Sequence, residues 1–480
     1  MKVLHAPMNF ALQPILLVEG LRKLGVDAHH LQYMGAGGKH RFDFRMDKVY
    51  YYDPHKSLFE SQMQALKEVL HDDYDIYHFW QRSLIFRPDC SDMTGLDLPL
   101  IKARGESKII HRFTGYDLRL KSWDKAVNPY SAFNYKFDGF FDENTQKEYI
   151  SFLREYVDLF LVQDPELKQF MPEAEILPRA LDLDEWQYVG IEKTDCPLVV
   201  HAPTNKSCKG SEFVFKAIEV LKDEGLKFNF QTIQNMSHDK AREMYRKADI
   251  IIDQLLIGAT GVLTLEGWAL GKPVVVYLRE DLFKPFYGEV PAANANPDTI
   301  TNVLRDLIKD HDWRQELSQK GRKTVEKFHD SKIVSQKCLD IYNNLEKKKG
   351  KTPKGTADID YILKVSKPNN SLKNLAYSAI RKFIPGQLLY SIKSFVDEPS
   401  FKNISAMTKL GLIFVAYLVK GTWKRFLHRI KTPKGLFTFS AITILTICGI
   451  TFLSINPLLA ISIGVICFFP FLFKTKKEKI

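Results

Sequence analysis

Cysteine is scarce, and its spacing is uninformative. Cys90, Cys196, Cys208, Cys338, Cys448 and Cys467 form no C-x-x-C and no disulfide framework. Free thiols in a reducing compartment are therefore expected. The N-terminus lacks the apolar run of a secretory signal: Met1-Lys2 leads straight into Val3-Leu4-His5, so no signal peptide is expected. No G-x-G-x-x-G follows an early strand, which disfavours a dinucleotide oxidoreductase. The body shows no His/Asp/Glu cluster spaced for a metal, and neither metal nor cofactor is expected. It also lacks a basic excess. Residues 350–480 hold 20 Lys+Arg and 5 Asp+Glu, which leaves 48 against 52 for residues 1–349 out of totals of 68 and 57. A slightly acidic body argues against nucleic acid as a partner. The basic excess lies instead beside apolar segments, a pattern suited to anionic lipid head groups.

What is present is enough apolar residue, 45% of 480, to fill more than one core. Strand-like runs at 2–6, 75–80, 107–113 and 159–163 alternate with helical spacing at 14–24, 58–71 and 149–156. The pattern restarts near Pro197. Strands are expected at 198–201, 228–233, 250–252 and 273–277, and helices at 211–224, 239–247 and 261–270, with further helix over 299–345. Alternation of this kind predicts α/β units with parallel sheets covered on both faces. The division expected is 1–180 and 181–345, two Rossmann-like domains facing a cleft. Two generic α/β domains without a common cleft fit the alternation as well.

The character changes at Glu346, where EKKKGKTPKG reads as a charged linker over 346–371. Residues 372–434 mix basic, aromatic and apolar residues at helical spacing. They read as amphipathic helices at a bilayer interface, or as helices packed on the body. Residues 435–473 carry no charge, are broken at Asn456-Pro457, and are flanked by Lys and Arg on both sides, including the basic tail 474–480. A transmembrane hairpin with both ends in the cytoplasm fits this best. One long tilted span, a re-entrant hairpin and a buried core hairpin stay open.

Two segments carry chemistry. His201 to Gly210 reads HAPTNKSCKG and lies between a strand and a helix. Such a turn aims free amides and a positive dipole end at a ligand. Thr204 and Asn205 add polar groups, and Lys206 and Lys209 add cations within reach of a diphosphate. An ordinary solvated turn with two surface lysines is the plainer account. The second segment, 253–276, reads DQLLIGATGVLTLEGWALGKPVVV. Amides at Gly261 and Val262 sit where a helix begins, and Glu266 lies one turn further, placed to accept from ribose hydroxyls. A helix with one incidental glutamate is the alternative there.

Together these segments resemble the donor-binding domain of the retaining GT-B glycosyltransferases, through Lys209-Gly210 and the run GVLTLEGWALGKPVV at 261–275. The resemblance extends over about 1–345. It implies a diphosphate on Lys209 with Lys206 in support, phosphate contacts from the Gly261 and Val262 amides, and ribose on Glu266. In the N-terminal half, RFTGYDLR at 112–119 is similar to the family's loop after a central strand, matching at Asp117 and Arg119. Two positions depart. The family's first glutamate would fall at Gly258, and its histidine before Gly-x-Asp is Thr114. Both lie, by resemblance, near the transferred sugar. Asp117 is a candidate sugar or acceptor ligand and the one candidate for a catalytic role, and no convincing general base is apparent. His78 and His111 read as core histidines more readily than as ligands.

The function expected is a hexosyltransferase-type glycosyltransferase, retaining and metal-independent by resemblance. It would move sugar from a UDP- or GDP-linked donor to a lipid-linked or surface-polysaccharide acceptor of the cell envelope, at the cytoplasmic face of the membrane. A catalytically inactive nucleotide-sugar-binding partner is the main alternative. A nucleotide-sugar epimerase or a phosphorylase is a further one.

Overall fold

A computed structural model describes residues 1–34, 48–51, 58–85, 95, 97–103, 106–234 and 236–347. These fall within one compact unit spanning Met1–Pro368. The expected linker beyond residue 347, the amphipathic region, the membrane hairpin and the basic tail lie outside the described residues, as do Cys90, Cys448 and Cys467. Among the described residues no helix is long and apolar enough to cross a membrane.

The first half runs β1 (Lys2–Ala6), α1 (Gln13–Lys23), β2 (Asp27–Met34), β3 (Lys48–Tyr51), α2 (Leu58–His71), β4 (Ile76–Trp80), α3 (Leu98–Ala103), β5 (Lys108–Arg112), α4 (Lys121–Val127), α5 (Glu143–Tyr156), β6 (Leu159–Val162), α6 (Pro165–Lys168) and β7 (Glu175–Ile176). A single 3-10 turn, Ala132–Asn134, follows α4. The second half runs β8 (Leu198–His201), α7 (Lys206–Lys209), α8 (Ser211–Asp223), β9 (Asn229–Thr232), α9 (His238–Lys247), β10 (Ile250–Ile252), α10 (Val262–Ala269), β11 (Val274–Val276), α11 (Glu280–Tyr287), β12 (Ala293–Asn294), α12 (Ile300–Lys309), α13 (His311–Phe328) and α14 (Ser331–Asn344).

The strands form two sheets, ordered β3-β2-β1-β4-β5-β6-β7 and β12-β11-β10-β8-β9. Every strand pair in both is parallel. Side chains alternate across a strand, so each β1 residue chooses a face. Val3 joins Ile76, Trp80, Ile110 and Leu161 beneath α1 and α14, while Leu4 and Ala6 join Tyr77, Phe79 and Ile109 against α2, α3 and α5. The second sheet is likewise covered twice. Burial on both faces is why III and VVV, without polar alternation, serve as β10 and β11.

The chain crosses between the sheets twice, and the crossings are tied together. Leu181 N–H donates to the His329 carbonyl (2.7 Å), and Ser331 N–H donates back to the Leu181 carbonyl (2.9 Å). The Gln13 side chain clamps Ala180 by both its amide nitrogen (2.9 Å) and its oxygen (2.7 Å). After the second crossing α14 packs on the first sheet, with Val334, Cys338 and Tyr342 in that core.

His329 sits at the crossing with Nδ1 2.9 Å from the Arg179 carbonyl and Nε2 2.9 Å from the Tyr287 hydroxyl. A neutral ring satisfies both: Nδ1–H donates and Nε2 accepts. Burial lowers its pKa to about 4. The unfolded chain takes up that proton first, so stability is expected to fall as pH drops from about 6.5 towards 4. Urea midpoints across this window check it, and His329→Gln should flatten part of the slope.

Candidate functional site

In the second sheet the chain leaves β8 for β9 on one side and returns to β10 on the other. The two loops diverging from the carboxyl ends of β8 and β10 therefore open a crevice, the usual ligand position in a doubly wound sheet. Both segments singled out from the sequence meet there. After β8, Asn205 caps α7, its Oδ1 accepting from Cys208 N–H (2.9 Å). Gly210, at φ +73°, turns the chain into α8. Thr204 and Lys206 are exposed.

Lys209 does not point freely into solvent. Its Nζ lies 2.5 Å from Asp253 Oδ1 and 2.8 Å from Gln254 Oε1. The other Asp253 oxygen accepts from the Thr264 hydroxyl (2.6 Å) and Thr264 N–H (3.2 Å). Burial pushes the Asp253 carboxyl up, but Lys209 and the Thr264 hydroxyl outweigh it and leave the pKa below its ordinary value. Asp253 thus locks the β8–α7 turn to the start of α10. Gly261 is required for this lock, because a Cβ there would stand 2.2 Å from Asp253 Oδ2.

At the start of α10, Gly261 N–H is directed to Thr264 Oγ1 (3.3 Å) and Thr264 N–H to Asp253. Among the described residues nothing accepts from the Val262 and Leu263 amides. These are the amides a helix start leaves for an anion. Val262 and Glu266 are four residues apart and share one helix face. Glu266 is buried, which raises its pKa, and its Oε1 is 3.2 Å from His238 Nε2. The sequence reading missed His238. It starts the helix at Asp239, whereas Ser237 caps α9 and His238 is its first residue.

The first-domain candidates form a tight loop after β5. The Asp117 carboxylate accepts from the backbone N–H groups of Thr114 (3.0 and 3.1 Å) and Gly115 (2.6 Å). Burial raises its pKa to about 6 against the pull of those amides. Thr114 Oγ1 accepts from Gln81 (2.6 Å), and its carbonyl accepts from Gln163 (2.6 Å). Arg119 forms a two-pronged pair with Glu166, at 2.9 and 2.5 Å, and stacks on Tyr116. Burial opposes its charge, but Glu166 more than offsets this and holds the guanidinium pKa above its ordinary value. His78 hydrogen-bonds Tyr342 (2.6 Å) in the core. His111 is buried against Phe113 and Tyr149 with neither nitrogen hydrogen-bonded among the described residues.

Gly258 lies in the β10–α10 loop against Arg279 and Tyr277. Its φ is +74°, and a Cβ would meet Arg279 Cγ at 2.9 Å. Arg279 in turn grips Asp281 with two nitrogens and donates to the Val127 carbonyl (2.8 Å). That carbonyl begins a strap, residues 127–137, that reaches from the first domain to the second. Asn128 donates to the Leu256 carbonyl (3.0 Å), and Tyr130 donates to Asp298 (2.7 Å). Phe133 and Phe137 bury themselves against Cys208 and Leu256. The strap therefore rests on both loops of the second-domain crevice.

No protein-family model matches the chain, and no curated protein matches it. Solved structures do. A sucrose-phosphate synthase from Thermosynechococcus elongatus is 12% identical with a TM-score of 0.52, over 72% of this chain and 99% of its own. HepE from Anabaena, in complex with UDP and glucose, is 11% identical with a TM-score of 0.47, over 72% of this chain and 100% of its own. A UDP-N-acetylglucosamine 2-epimerase described as such from Listeria monocytogenes is 12% identical with a TM-score of 0.43, over 72% and 98%. With their two parallel, doubly covered sheets and their likeness to the synthase, the described residues have an α/β fold of the GT-B kind.

Proposed function

We propose that the chain is a glycosyltransferase that moves a sugar from a nucleotide diphosphate sugar to a hydroxyl of a lipid-linked or surface-polysaccharide acceptor. The observation that carries the reading is the meeting, at the switch point of the second sheet, of Lys209, the open amides of α10 and Glu266. A cation and helix-start amides suit a diphosphate, and a buried carboxylate one turn along suits a ribose diol. Thr204, Asn205 and Lys206 line the same turn. In the reaction the bond from the anomeric carbon to the diphosphate oxygen breaks and the acceptor oxygen takes its place. The acceptor proton leaves with the diphosphate or with solvent. Lys206, Lys209 and the Val262 amide would stabilise the departing charge, whereas the Gly261 N–H, expected to share that role, is directed to the Thr264 hydroxyl. Retention of configuration and independence of metal belong to the proposal. So does action at the cytoplasmic membrane face, which rests on the charge pattern of residues 372–480.

Thr114, Asp117 and Arg119 are assigned to shaping the loop that faces the crevice, because their polar atoms are spent on neighbours. Gly258 favours a second reading. Without a glutamate there, the chain is a nucleotide-sugar-binding partner that does not turn over. A donor screen on detergent-solubilised full-length protein decides between them. UDP- and GDP-sugars are offered with and without membrane lipid extract, and free nucleotide diphosphate is followed. Release with one donor, raised by extract, is the expected outcome. Binding without release under every condition supports the second reading.

A further inference from the structure

The Glu266 carboxylate has a partner that the donor-site reading does not use. His238 Nε2 stands 3.2 Å from Glu266 Oε1, and the imidazole is about one-quarter exposed while Glu266 is almost wholly covered. The ring is fixed from several sides. Ser237 caps the helix that carries it. Trp186, from the stretch entering the second domain, meets its edge at 5.7 Å and 73°. Arg242, one turn along α9, lies 5.7 Å over the same Trp186 and pairs with Glu185 at 2.5 Å. The charges around the pair are thus Glu185 from the entering stretch, Arg242 on α9 and Asp253 behind Glu266.

We propose that His238 is a positioning residue of the donor site, holding the Glu266 carboxylate oriented and ionised for the vicinal hydroxyls of a nucleotide ribose. This rests on the donor-site reading of Glu266. A carboxylate offers about four lone-pair sites, and the imidazole takes one, so a diol can still donate twice. Without His238, Glu266 would be a buried carboxyl near the Asp253 charge, and both conditions favour its protonated form. Protonation removes an acceptor from the diol. The pair supports itself in the other direction as well: the Glu266 hydrogen bond raises the His238 pKa against the effect of burial.

The test measures binding of UDP and GDP, and of their 2′-deoxy forms, to the full-length protein by calorimetry between about pH 5 and pH 8. His238→Ala is expected to weaken the ribonucleotide about tenfold at neutral pH, the size of one lost charge-assisted hydrogen bond. It should leave the 2′-deoxy nucleotide nearly unchanged. The pH at which ribonucleotide affinity falls on acidification should move upward. His238→Gln keeps a donor without a charge. It should recover most of the affinity at pH 8 while keeping the raised midpoint. Equal weakening of ribo- and deoxynucleotide with an unmoved midpoint would overturn the proposal, because that is what loss of packing alone produces. So would an Ala variant that binds as the wild type does. Wild-type protein that binds neither nucleotide would remove the donor-site reading itself, and this proposal with it.

Discussion

Replacing Lys209 by Met is expected to abolish measurable nucleotide diphosphate binding and, separately, to lower folding stability by about 3 kcal/mol. The two effects have different origins. The ammonium is the cation that Asp253 ties to the start of α10, and a diphosphate bound there loses that counter-charge without it. Stability falls because Asp253 is wholly buried and one of its two carboxylate oxygens is held by Lys209. The Thr264 hydroxyl and amide remain, which keeps the cost at the lower end for a broken buried pair. The loss should also depend on pH. With Lys209 gone the Asp253 carboxyl rises above its unfolded value. It then binds protons more readily folded than unfolded, and part of the lost stability returns as pH falls through that raised pKa. Urea denaturation at neutral pH and near pH 5, with and without nucleotide, separates the two. Met at full stability would mean that the Lys209–Asp253 pair is not formed, and unaltered binding would remove Lys209 from the donor site.

Replacing Gly258 by Glu, the residue found at this place in the glycosyltransferases that the sequence resembles, is expected to lower stability by about 3 kcal/mol and not to create or raise turnover. Two costs combine. A non-glycine residue at φ +74° pays about 1–2 kcal/mol for left-handed backbone. The new Cβ also forces Arg279 aside, loosening its donation to Val127 and its grip on Asp281. The part-buried hydrogen bond to Val127, lost with its acceptor left unpaired, adds about 1 kcal/mol. Because Val127 starts the strap, the strap should loosen at that end, while Asn128, Tyr130, Phe133 and Phe137 keep their contacts with the second domain. Limited proteolysis within residues 127–137 would report that, together with the melting temperature. A stable variant with raised sugar transfer would show instead that the loop tolerates a side chain, and that the missing glutamate alone limits the chemistry.

The surroundings of Gly258 bear on the two positions where the sequence differs from the glycosyltransferases that it resembles. The glutamate is absent where the backbone has taken a conformation that suits glycine, and where a neighbouring arginine fills the side-chain space. Thr114 is likewise built into its loop by Gln81 and Gln163. The changes are accommodated on both sides of the crevice, so each substitution has a local structural role of its own.

How much of this could be read before folding depends on whether a signal is local. Runs of apolar residues bounded by turns placed β1, β4, β5, β8, β10 and β11 to within a residue or two, since a strand buried on both faces is written as a short apolar run. Glycine stops and helical spacing did the same for α8 and α10. The strand β2 escaped because DAHHLQYM carries two histidines and a glutamine, which interrupt the apolar run. The long helical stretch at 299–345 resolves into three helices, broken at Asp310 and at His329-Asp330, where aspartates cap the next helix. Of the site, the residue types in the two loops and their order along the chain were legible, because turn-forming residues and cations at a strand end are a local pattern. Only tertiary structure decided that Lys209 meets Asp253, that His238 meets Glu266, and that Asp117 and Arg119 turn inward. The partners in those contacts are separated by 44, 28 and, for Arg119 and Glu166, 47 positions in the chain. Their pairing follows from strand order and sheet crossover, which no local spacing encodes.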